Sequence, residues 1–242
     1  MLARQAMKTL MQAKTPRTIK LLIYINIFFY IAATILIRFN IDLYQLLGAV
    51  PKLIIERYFF WQIFTYMFMH AGIFHLFLNM LMLWMFGVEL YKVWGNKFFI
   101  KYYLLCGIGG GVSVILLSLA DTNMYLVPTV GSSGAIFGLL LAYGITFKNR
   151  SLYVFGLFPI KAGKLVIILG IIELFSMFSA DSNSSISHIA HLGGLLTGLS
   201  YLKLKDLEKK ILAKRYLKLK DRYKLHIVET NDDDIKKPKI WN

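Results

Sequence analysis

The sequence predicts an all-α polytopic membrane protein, and its composition and apolar segments support this fold class. Of its 242 residues, 57% are hydrophobic and only 17% are charged, which is too apolar for an ordinary soluble domain. Several continuous apolar runs approach or reach the roughly 20 residues that a helix needs to cross a bilayer. They predict a bundle of six transmembrane helices, at residues 19–37, 75–93, 98–120, 132–147, 165–180 and 186–204.

The distribution of charge predicts how these helices are oriented. The net charge is +15, and with the N-terminus inside the cell 25 of the 28 lysines and arginines fall on the cytoplasmic side. Basic residues favour that side during insertion, so the topology explains the charge and no nucleic-acid partner is required. We therefore expect a multi-pass protein of the cell (inner) membrane, with the lipid bilayer as its partner and both termini cytoplasmic. The basic start also resembles a mitochondrial presequence, but a cytosolic flank fits better.

Three regions follow from these assignments. Residues 1–18 form a basic cytoplasmic flank, residues 19–204 the membrane domain and residues 205–242 a charged cytoplasmic tail. No secretory cleavage site precedes the first apolar run, so we expect that run to remain as a helix. The tail has leucines at helical intervals, and it is either a helix on anionic lipid headgroups or a solvated helix. Its segment 231–234 is expected to be disordered.

The first external connection, residues 38–74, is long and far from polar. Its middle, residues 58–70, is dense in aromatic side chains, as expected of chain at a membrane interface. Pro51 and Gly72 provide turn points. We expect a structured loop that is half immersed in the membrane.

The fourth apolar run is too short to cross the bilayer. From Ser133 to Phe147 it has 15 residues, which cover about 22 Å of a roughly 30 Å core. If its inner end is at Lys148, its outer end lies about 8 Å below the surface. Residues 125–131 then enter the membrane without being helical, which is tolerated only beside a protein-enclosed or water-filled cavity. Ser132 and Ser133 should lie at the floor of such a recess.

Polar side chains within apolar runs are costly in a membrane, so they are functional candidates. His75 and Asn79 lie one helical turn apart and share one helix face. They are either hydrogen-bonding contacts between helices or two donors for a developing oxyanion. The complete set of candidates is His75, Asn79, Glu89, Ser133, Glu173, His188 and His191.

Glycines predict that two of the helices approach closely. Gly194 and Gly198 follow His191 at three and seven residues, and Gly134 and Gly138 follow Ser133 at one and five. Small residues at this interval let membrane helices pack closely. Such packing would bring the Ser133 hydroxyl toward the His191 ring, and a nearby base is what a serine needs to become a nucleophile. The free N-terminal amides of the fourth helix can then donate to an oxyanion.

Other chemistries fit this sequence less well. The segment HIAH, from His188 to His191, lacks the spacing and the glutamate of a zinc protease, so no metal is expected. The serine segment is not a nucleophile elbow, because G-x-S-x-G around Ser133 would need glycine at Ala135. No lysine follows the glycines as in a phosphate-binding loop. The single cysteine, Cys106, excludes an internal disulfide.

Several motifs together resemble the rhomboid intramembrane serine proteases, from the first apolar run to Gly198. They are HAGIFHLFLN from His70 to Asn79, GVE from Gly87 to Glu89, GSSG at 131–134, and AHLGGLLTG at 190–198. Each motif alone is weak, whereas their combination is specific. The resemblance implies a six-helix bundle without cofactor or metal.

The resemblance also implies an activity and a set of site residues. It implies an endopeptidase that hydrolyses peptide bonds in or near the transmembrane segments of membrane proteins. Ser133 would be the nucleophile and His191 the general base, as a dyad without a third acid. His75, Asn79 and the Ser133 backbone N–H would form the oxyanion hole. The supporting positions implied by the family pattern are His70, Glu89, Gly131, Gly134, Phe137, Gly138, Gly194 and Gly198.

Two positions differ from features of the family. Phe137 stands where an aromatic side chain packs on the catalytic histidine, and it lacks the hydroxyl that a tyrosine has there. Gln62 stands where the family often has an arginine after tryptophan, so some polar anchoring of the first loop is expected to differ. Glu89 and Glu173 are interpreted as structural hydrogen-bonding residues.

The sequence also allows two functions other than proteolysis. The chain is a protease, an inactive rhomboid-like protein that binds transmembrane helices, or a transporter with broken helices and buried histidines. The apolar segments show no internal repeat, which disfavours a transporter.

Overall fold

The computed structural model describes residues 15–120, 125–154, 158–179 and 182–223. It divides into two compact units, Met1–Leu199 and Ser200–Asn242. Most of the basic N-terminal flank and the segment 231–234 lie outside the described residues. The three predicted regions, with boundaries at residues 18 and 204, stay a prediction.

The first long helix, α1, spans Arg17–Leu36 and continues into a 3₁₀ turn at Ile37–Phe39. Asn40 ends it in the left-handed conformation, with φ of 61°, which asparagine tolerates better than most residues. Asn26 is the buried polar residue of α1, and its amide donates to the Leu22 carbonyl at 2.7 Å. Large apolar side chains on the rest of the helix are exposed: Leu21, Tyr24, Phe28, Ile31 and Ile35.

The connection after α1 is structured, as expected. It contains three short helices, α2 (Leu43–Leu47), α3 (Pro51–Glu56) and α4 (Gln62–Thr65), and a 3₁₀ turn at Tyr66–Phe68. Asp42 caps α2 by accepting from the backbone N–H groups of Tyr44 and Gln45.

Gln62 anchors this connection through hydrogen bonds, although the resemblance suggested an arginine at this position. The side chain is fully buried, and its oxygen accepts from the Val50 N–H at 3.1 Å. Its amide group donates to the carbonyls of Gln45 and Leu46, at 2.6 and 3.3 Å. The loop is therefore still anchored by a polar side chain, because both the oxygen and the nitrogen of the Gln62 amide bond to backbone groups.

The next two predicted helices form one long element, α5, at Ile73–Ser118. Its 46 residues would measure about 69 Å if straight, more than twice the thickness of a bilayer core. Gly95 breaks it with φ of 74° and ψ of 177°, a conformation that glycine adopts without steric cost. Two helical segments, 73–94 and 96–118, thus meet at a single glycine rather than at the longer connection we expected.

Helix α6 spans Ser133–Thr146, so the predicted short fourth helix is present. Its 14 residues measure about 21 Å. Residues 125–132 before it are not helical. Thr129 and Ala49 exchange two backbone hydrogen bonds of 2.9 Å, and the Gly131 N–H donates to the Tyr66 carbonyl at 3.0 Å. These bonds tie the chain before α6 to the first connection.

A small hairpin follows α6 and was not expected from the sequence. Strands β1 (Ser151–Val154) and β2 (Phe158–Lys161) are antiparallel and pair Ser151 with Lys161. Helix α7 then spans Ala162–Ser179, and helix α8 spans Ser182–Tyr223. The second unit is helical from Ser200 to Tyr223, in agreement with the helical leucine spacing of the tail.

Membrane-spanning character is strongest in two of the described helices. Residues Arg17–Phe39 and Ile73–Ser118 have the length and apolarity to cross a bilayer, with mean hydropathies of 2.0 and 1.7. Ser133–Thr146 is also apolar but shorter. The described part of the chain is therefore a largely helical structure with long apolar helices.

Candidate active site

Ser133, the predicted nucleophile, is the first residue of α6. Gly131 precedes it with φ of 118°, a value that favours glycine. A Cβ atom at Gly131 would lie 2.7 Å from Nε2 of His75 and 3.7 Å from Oγ of Ser133. The His75 ring and the Ser133 hydroxyl thus border the same small space, which a side chain at residue 131 would fill.

The two predicted oxyanion donors lie one turn apart in the segment 73–94, as expected. The Asn79 amide donates to the His75 carbonyl at 2.9 Å. This bond uses one of the two amide hydrogens and fixes the side chain along its own helix. The His75 ring and the Ser133 hydroxyl therefore border the same space at Gly131, and Asn79 lies one turn further along the helix of His75.

The first turn of α6 has backbone donors without a side-chain cap. The Ser132 side chain at the N-cap makes no capping hydrogen bond, and the first four N–H groups of a helix have no intrahelical partner. The Ser132 hydroxyl is fully buried and lies near the Tyr103 hydroxyl, without a well-aligned hydrogen bond among the described residues. The N–H groups at Ser133 are thus suited to an oxyanion.

His70 lies next to His75 and is fully buried. The two ring centroids are 5.0 Å apart, with an interplanar angle of 65°. Neither ring nitrogen of His70 has a hydrogen-bond partner within the part of the chain that the structure describes. The His70 carbonyl accepts from the Tyr44 hydroxyl at 3.1 Å, so Tyr44, on α2 of the same connection, helps to hold His70 in place.

Glycines bring α6 and α8 into backbone contact. A Cβ atom at Gly134 would lie 3.0 Å from the Ala190 carbonyl oxygen, and one at Gly138 would lie 3.4 Å from that of Gly194. A Cβ atom at Gly194 would overlap the Gly134 carbonyl. Two carbonyl oxygens of α8 therefore lie where side chains would otherwise separate the helices.

Gly198 does not belong to this contact, although the sequence aligned it with Gly194. Its neighbours are the Tyr102 hydroxyl and Sγ of Cys106, both on the segment 96–118 of α5. The Tyr102 hydroxyl also donates to the Gly138 carbonyl at 2.8 Å. Gly198 thus provides space for a third helix rather than for α6.

His191 lies beside the first turns of α6. Its ring is stacked on Phe137, with centroids 4.3 Å apart and an interplanar angle of 15°. Phe137 is one helical turn after Ser133, and the preceding residue of α8, Ala190, touches Gly134. The structure therefore brings the predicted base to the helix end that carries the predicted nucleophile.

Glu173 is the residue whose place the sequence interpretation missed. Its Oε2 atom lies 2.5 Å from Nδ1 of His188 and 3.1 Å from Nδ1 of His191. The contact to His188 has hydrogen-bond geometry, whereas the one to His191 has the distance without the alignment. Glu173 does form hydrogen-bonding contacts, but they lie at the predicted base, where the resemblance implied no third acid.

The sequence contained a signal for this contact. Glu173 is an acidic residue within an apolar run, and the two histidines follow 15 and 18 residues later on the next helix. Donor atoms of the three side chains lie within 4.8 Å of one another, close enough to share a metal ion. The direct contacts of Glu173 with both histidines explain why the three side chains lie together without requiring a metal ion.

Glu89 lies at the other end of α6 from Ser133. The Tyr143 hydroxyl donates to its carboxylate at 3.0 Å, and Arg150 forms an ion pair with the same oxygen. Arg150 also donates to the Tyr143 hydroxyl at 3.0 Å, and this bond raises the pKa of its guanidinium above the ordinary value. Tyr143 follows Ser133 by ten residues, or about 15 Å of helix. Glu89 is therefore a structural residue away from the predicted dyad.

Comparison with known proteins places the chain among relatives. Residues 58–205 match the Rhomboid domain. The chain is 33% identical over 108 residues to Rhomboid protease GluP of Bacillus subtilis, covering 44% of this chain and 20% of that protein. It is 31% identical over 134 residues to Rhomboid protein 1, mitochondrial, of Saccharomyces cerevisiae, covering 55% and 38%.

A third relative carries a different description. The chain is 31% identical over 107 residues to Inactive RHOMBOID-like protein 8 of Arabidopsis thaliana, covering 44% of this chain and 29% of that protein. In each case the match spans less than two fifths of the relative's length. With its long apolar helices, the protein is a helical multi-pass membrane protein. Because the domain match covers more than half of the 242 residues, the chain belongs to the rhomboid family.

Proposed function

We propose that the protein is an intramembrane serine endopeptidase that uses Ser133 and His191. The observation that carries this proposal is the position of His191 beside the end of α6 that begins with Ser133. Its stacking on Phe137 and the glycine contacts between α6 and α8 hold it there. A serine hydroxyl becomes a nucleophile when a base of this kind accepts its proton.

The reaction follows from these positions. Oγ of Ser133 attacks the carbonyl carbon of the scissile peptide bond while His191 takes the hydroxyl proton. His191 then gives this proton to the leaving amine as the C–N bond breaks. A water molecule then attacks the acyl carbon while His191 takes its proton. The bond from this carbon to Oγ of Ser133 breaks, His191 returns the proton to Oγ, and the carboxylic acid product leaves and ionises.

The oxyanion of each tetrahedral intermediate needs donors on one side of the reacting carbon. The Ser133 backbone N–H, His75 and Asn79 are the proposed donors. Support comes from the uncapped first turn of α6 and from the space at Gly131, which His75 Nε2 and the Ser133 hydroxyl both border. Donors fixed in advance are effective because they need no reorganisation when charge develops.

The proposed setting is a membrane domain of six helices with both termini in the cytoplasm of the cell. The two segments of α5 then cross in opposite directions around Gly95. The short α6 begins below the outer surface, so Ser133 lies at the floor of a recess that water enters. The half-immersed first loop borders this recess, and its exposed Phe60, Trp61 and Phe64 are suited to a lipid interface.

The substrates proposed are membrane proteins cut in or near a transmembrane helix. A helical peptide carbonyl is already hydrogen-bonded, so the substrate must unwind locally before Ser133 reaches it. We therefore expect helix-weakening residues near the cut.

The test is cleavage of a transmembrane substrate by purified protein. Ser133→Ala should abolish cleavage, because no other group replaces the nucleophile. Ser132→Ala is the matched control and should cleave near the parent rate, since Ser132 is not the proposed nucleophile and its side chain makes no capping hydrogen bond to α6. Equal rates for the parent and Ser133→Ala would contradict the proposal.

A non-proteolytic role is the second candidate, because one relative is described as inactive. A fluorophosphonate probe distinguishes the two functions, since it reacts with an activated serine. Labelling that depends on both Ser133 and His191 supports the protease. A protein that only binds transmembrane helices would not be labelled in this way.

A further inference from the structure

One carboxylate oxygen, Oε2 of Glu173, contacts both histidines that α8 carries. It is 2.5 Å from Nδ1 of His188 and 3.1 Å from Nδ1 of His191. The three side chains are mostly shielded, with exposed fractions of 12% for Glu173, 24% for His188 and 16% for His191. A shielded carboxylate only accepts hydrogen bonds, so the nitrogen that bonds to it must carry a proton.

This contact bears on which nitrogen of His191 is basic. A neutral imidazole has one N–H and one lone pair, and the partner of one nitrogen decides where the proton sits. The 3.1 Å contact between Nδ1 of His191 and Glu173 lacks hydrogen-bond alignment, but a carboxylate oxygen at that distance attracts an N–H and repels a lone pair. The proton is therefore favoured on Nδ1 and the lone pair on Nε2. Phe137 stacked on the ring prevents it from turning freely, because the two planes are nearly parallel. Nε2 is then the nitrogen left to take the Ser133 proton.

We propose that Glu173 is a positioning residue for His191: it holds the proton on Nδ1, directs the lone pair of Nε2 to Ser133 and balances the imidazolium that forms. This inference rests on the proposed protease function. It gives the expected dyad a third, acidic member, supplied by α7.

His188 has a different part in this arrangement. Its shorter contact, at 2.5 Å, fixes the carboxylate of Glu173 next to His191. A donor other than imidazole can do the same, so His188 need not be a histidine. A shared metal ion is the other arrangement that three such side chains allow, and it predicts loss of activity on chelation.

The experiment compares four forms of the full-length protein in detergent: the parent, Glu173→Met, Glu173→Asp and His188→Asn. Methionine is apolar and has no acceptor comparable to a carboxylate, aspartate keeps a carboxylate on a shorter side chain, and asparagine keeps a donor near Glu173. The measurements are kcat and KM for a transmembrane substrate, after titration of the active sites. Thermal unfolding identifies variants that do not fold.

Glu173→Met should lower kcat about 100-fold, near the lower end of what a general base contributes, with KM within about twofold of the parent. Glu173→Asp should recover about tenfold of that loss, and His188→Asn should stay within about threefold of the parent. A merely structural role would instead lower the unfolding temperature and the number of active sites, with kcat per active site unchanged.

A second measurement does not depend on activity. Nitrogen NMR of ¹⁵N-histidine protein reports the tautomer of His191, whose signal is assigned from its absence in His191→Gln. The parent should show the Nδ1–H form, and Glu173→Met should lose it. An Nε2–H form in the parent overturns the inference even where every variant is inactive.

The remaining outcomes separate this inference from the function on which it rests. A parent without Ser133-dependent cleavage overturns both. An active parent with Glu173→Met at the parent kcat overturns the positioning role alone. A loss in His188→Asn as large as in Glu173→Met also overturns it, as does inactivation of the parent by a metal chelator.

Discussion

The two ends of α6 differ in how the buried polar side chains around them are hydrogen-bonded. Around the end that begins with Ser133, several buried polar atoms have no hydrogen-bond partner among the described residues. They belong to His70, Tyr103, Thr129 and Ser132, and to Nδ1 of His191, whose 3.1 Å contact with Glu173 lacks hydrogen-bond alignment. At the other end, Tyr143 donates to Glu89, and Arg150 bonds to both, so these three polar side chains are paired.

This difference separates polar side chains that join neighbouring elements from buried polar side chains near the predicted nucleophile that have no partner among the described residues. Most buried polar groups in proteins are hydrogen-bonded, because an unpaired one costs free energy. A group of unpaired ones at one helix end therefore fits a recess that receives water and a peptide. The paired groups at the other end fix α6 against α5 and the chain after α6.

The largest effect should come from disrupting the close contact between α6 and α8 near Ser133. In Gly194→Ala the new methyl group overlaps the Gly134 carbonyl, so α6 and α8 must separate near the predicted Ser133–His191 dyad. We expect a loss of at least about 100-fold in kcat/KM, because small misplacements of reacting groups are costly. The free energy of unfolding in detergent should fall by about 1–3 kcal/mol, as for other overpacked sites.

Gly170→Ala is the matched control for that variant. A Cβ atom at Gly170 has only ordinary contact, 3.8 Å from a Leu195 methyl carbon. Activity and stability should stay near those of the parent. If Gly194→Ala retains full activity, the helix contact is not what places His191.

A smaller effect, on stability alone, is expected at the paired end. Glu89→Leu removes the acceptor shared by Tyr143 and Arg150, which should lower the free energy of unfolding by about 1–2 kcal/mol. The value is at the low end for a charged acceptor because Arg150 is partly exposed to solvent. The fraction that stays folded should keep the parent kcat, measured after active-site titration.

The control for Glu89→Leu is an exposed charge in the second unit. Glu208→Gln weakens the surface pair with Lys205 and should leave the unfolding curve unchanged. A fall in kcat per folded molecule of Glu89→Leu would show that the two ends of α6 are not independent.

The smallest effect should come from removing an unpaired hydroxyl. Thr129→Val keeps the side-chain shape and deletes Oγ1, which has no partner in the described part of the chain. Since no hydrogen bond within the protein is lost, the free energy of unfolding should change by less than about 0.5 kcal/mol. A loss above about 1 kcal/mol would mean that this hydroxyl is hydrogen-bonded to a protein group, and that the two ends of α6 differ less in hydrogen bonding than the described contacts indicate.

Much of the fold was predictable because the signals are local. Long apolar runs predicted α1, both segments of α5, and α6, whose shortness was visible as a count of residues. The break at Gly95 and the hairpin after α6 were not predicted. A single glycine in an apolar run does not reveal its φ angle, and the strands of the hairpin are only four residues each.

The site was predictable in part for the same reason. The glycines after Ser133 and His191 predicted a close contact between two helices, and Gly134 and Gly194 form such a contact. Gly198 has the same spacing but faces Tyr102 and Cys106, because the face it occupies packs on a different helix. Gln62 differs from the family pattern in sequence, yet its amide reaches backbone groups that lie 12 to 17 residues away.

The sequence by itself determined the apolar segments, the short α6 and the motif residues that make this chain a rhomboid. Each of these depends on composition or spacing within one segment, which the bilayer and the helix period constrain directly. Only the tertiary structure decided that Glu173 meets His188 and His191, and that Glu89 meets Tyr143 and Arg150. Those contacts join side chains on different helices, so they depend on how the helices cross and turn toward one another, which no local pattern encodes.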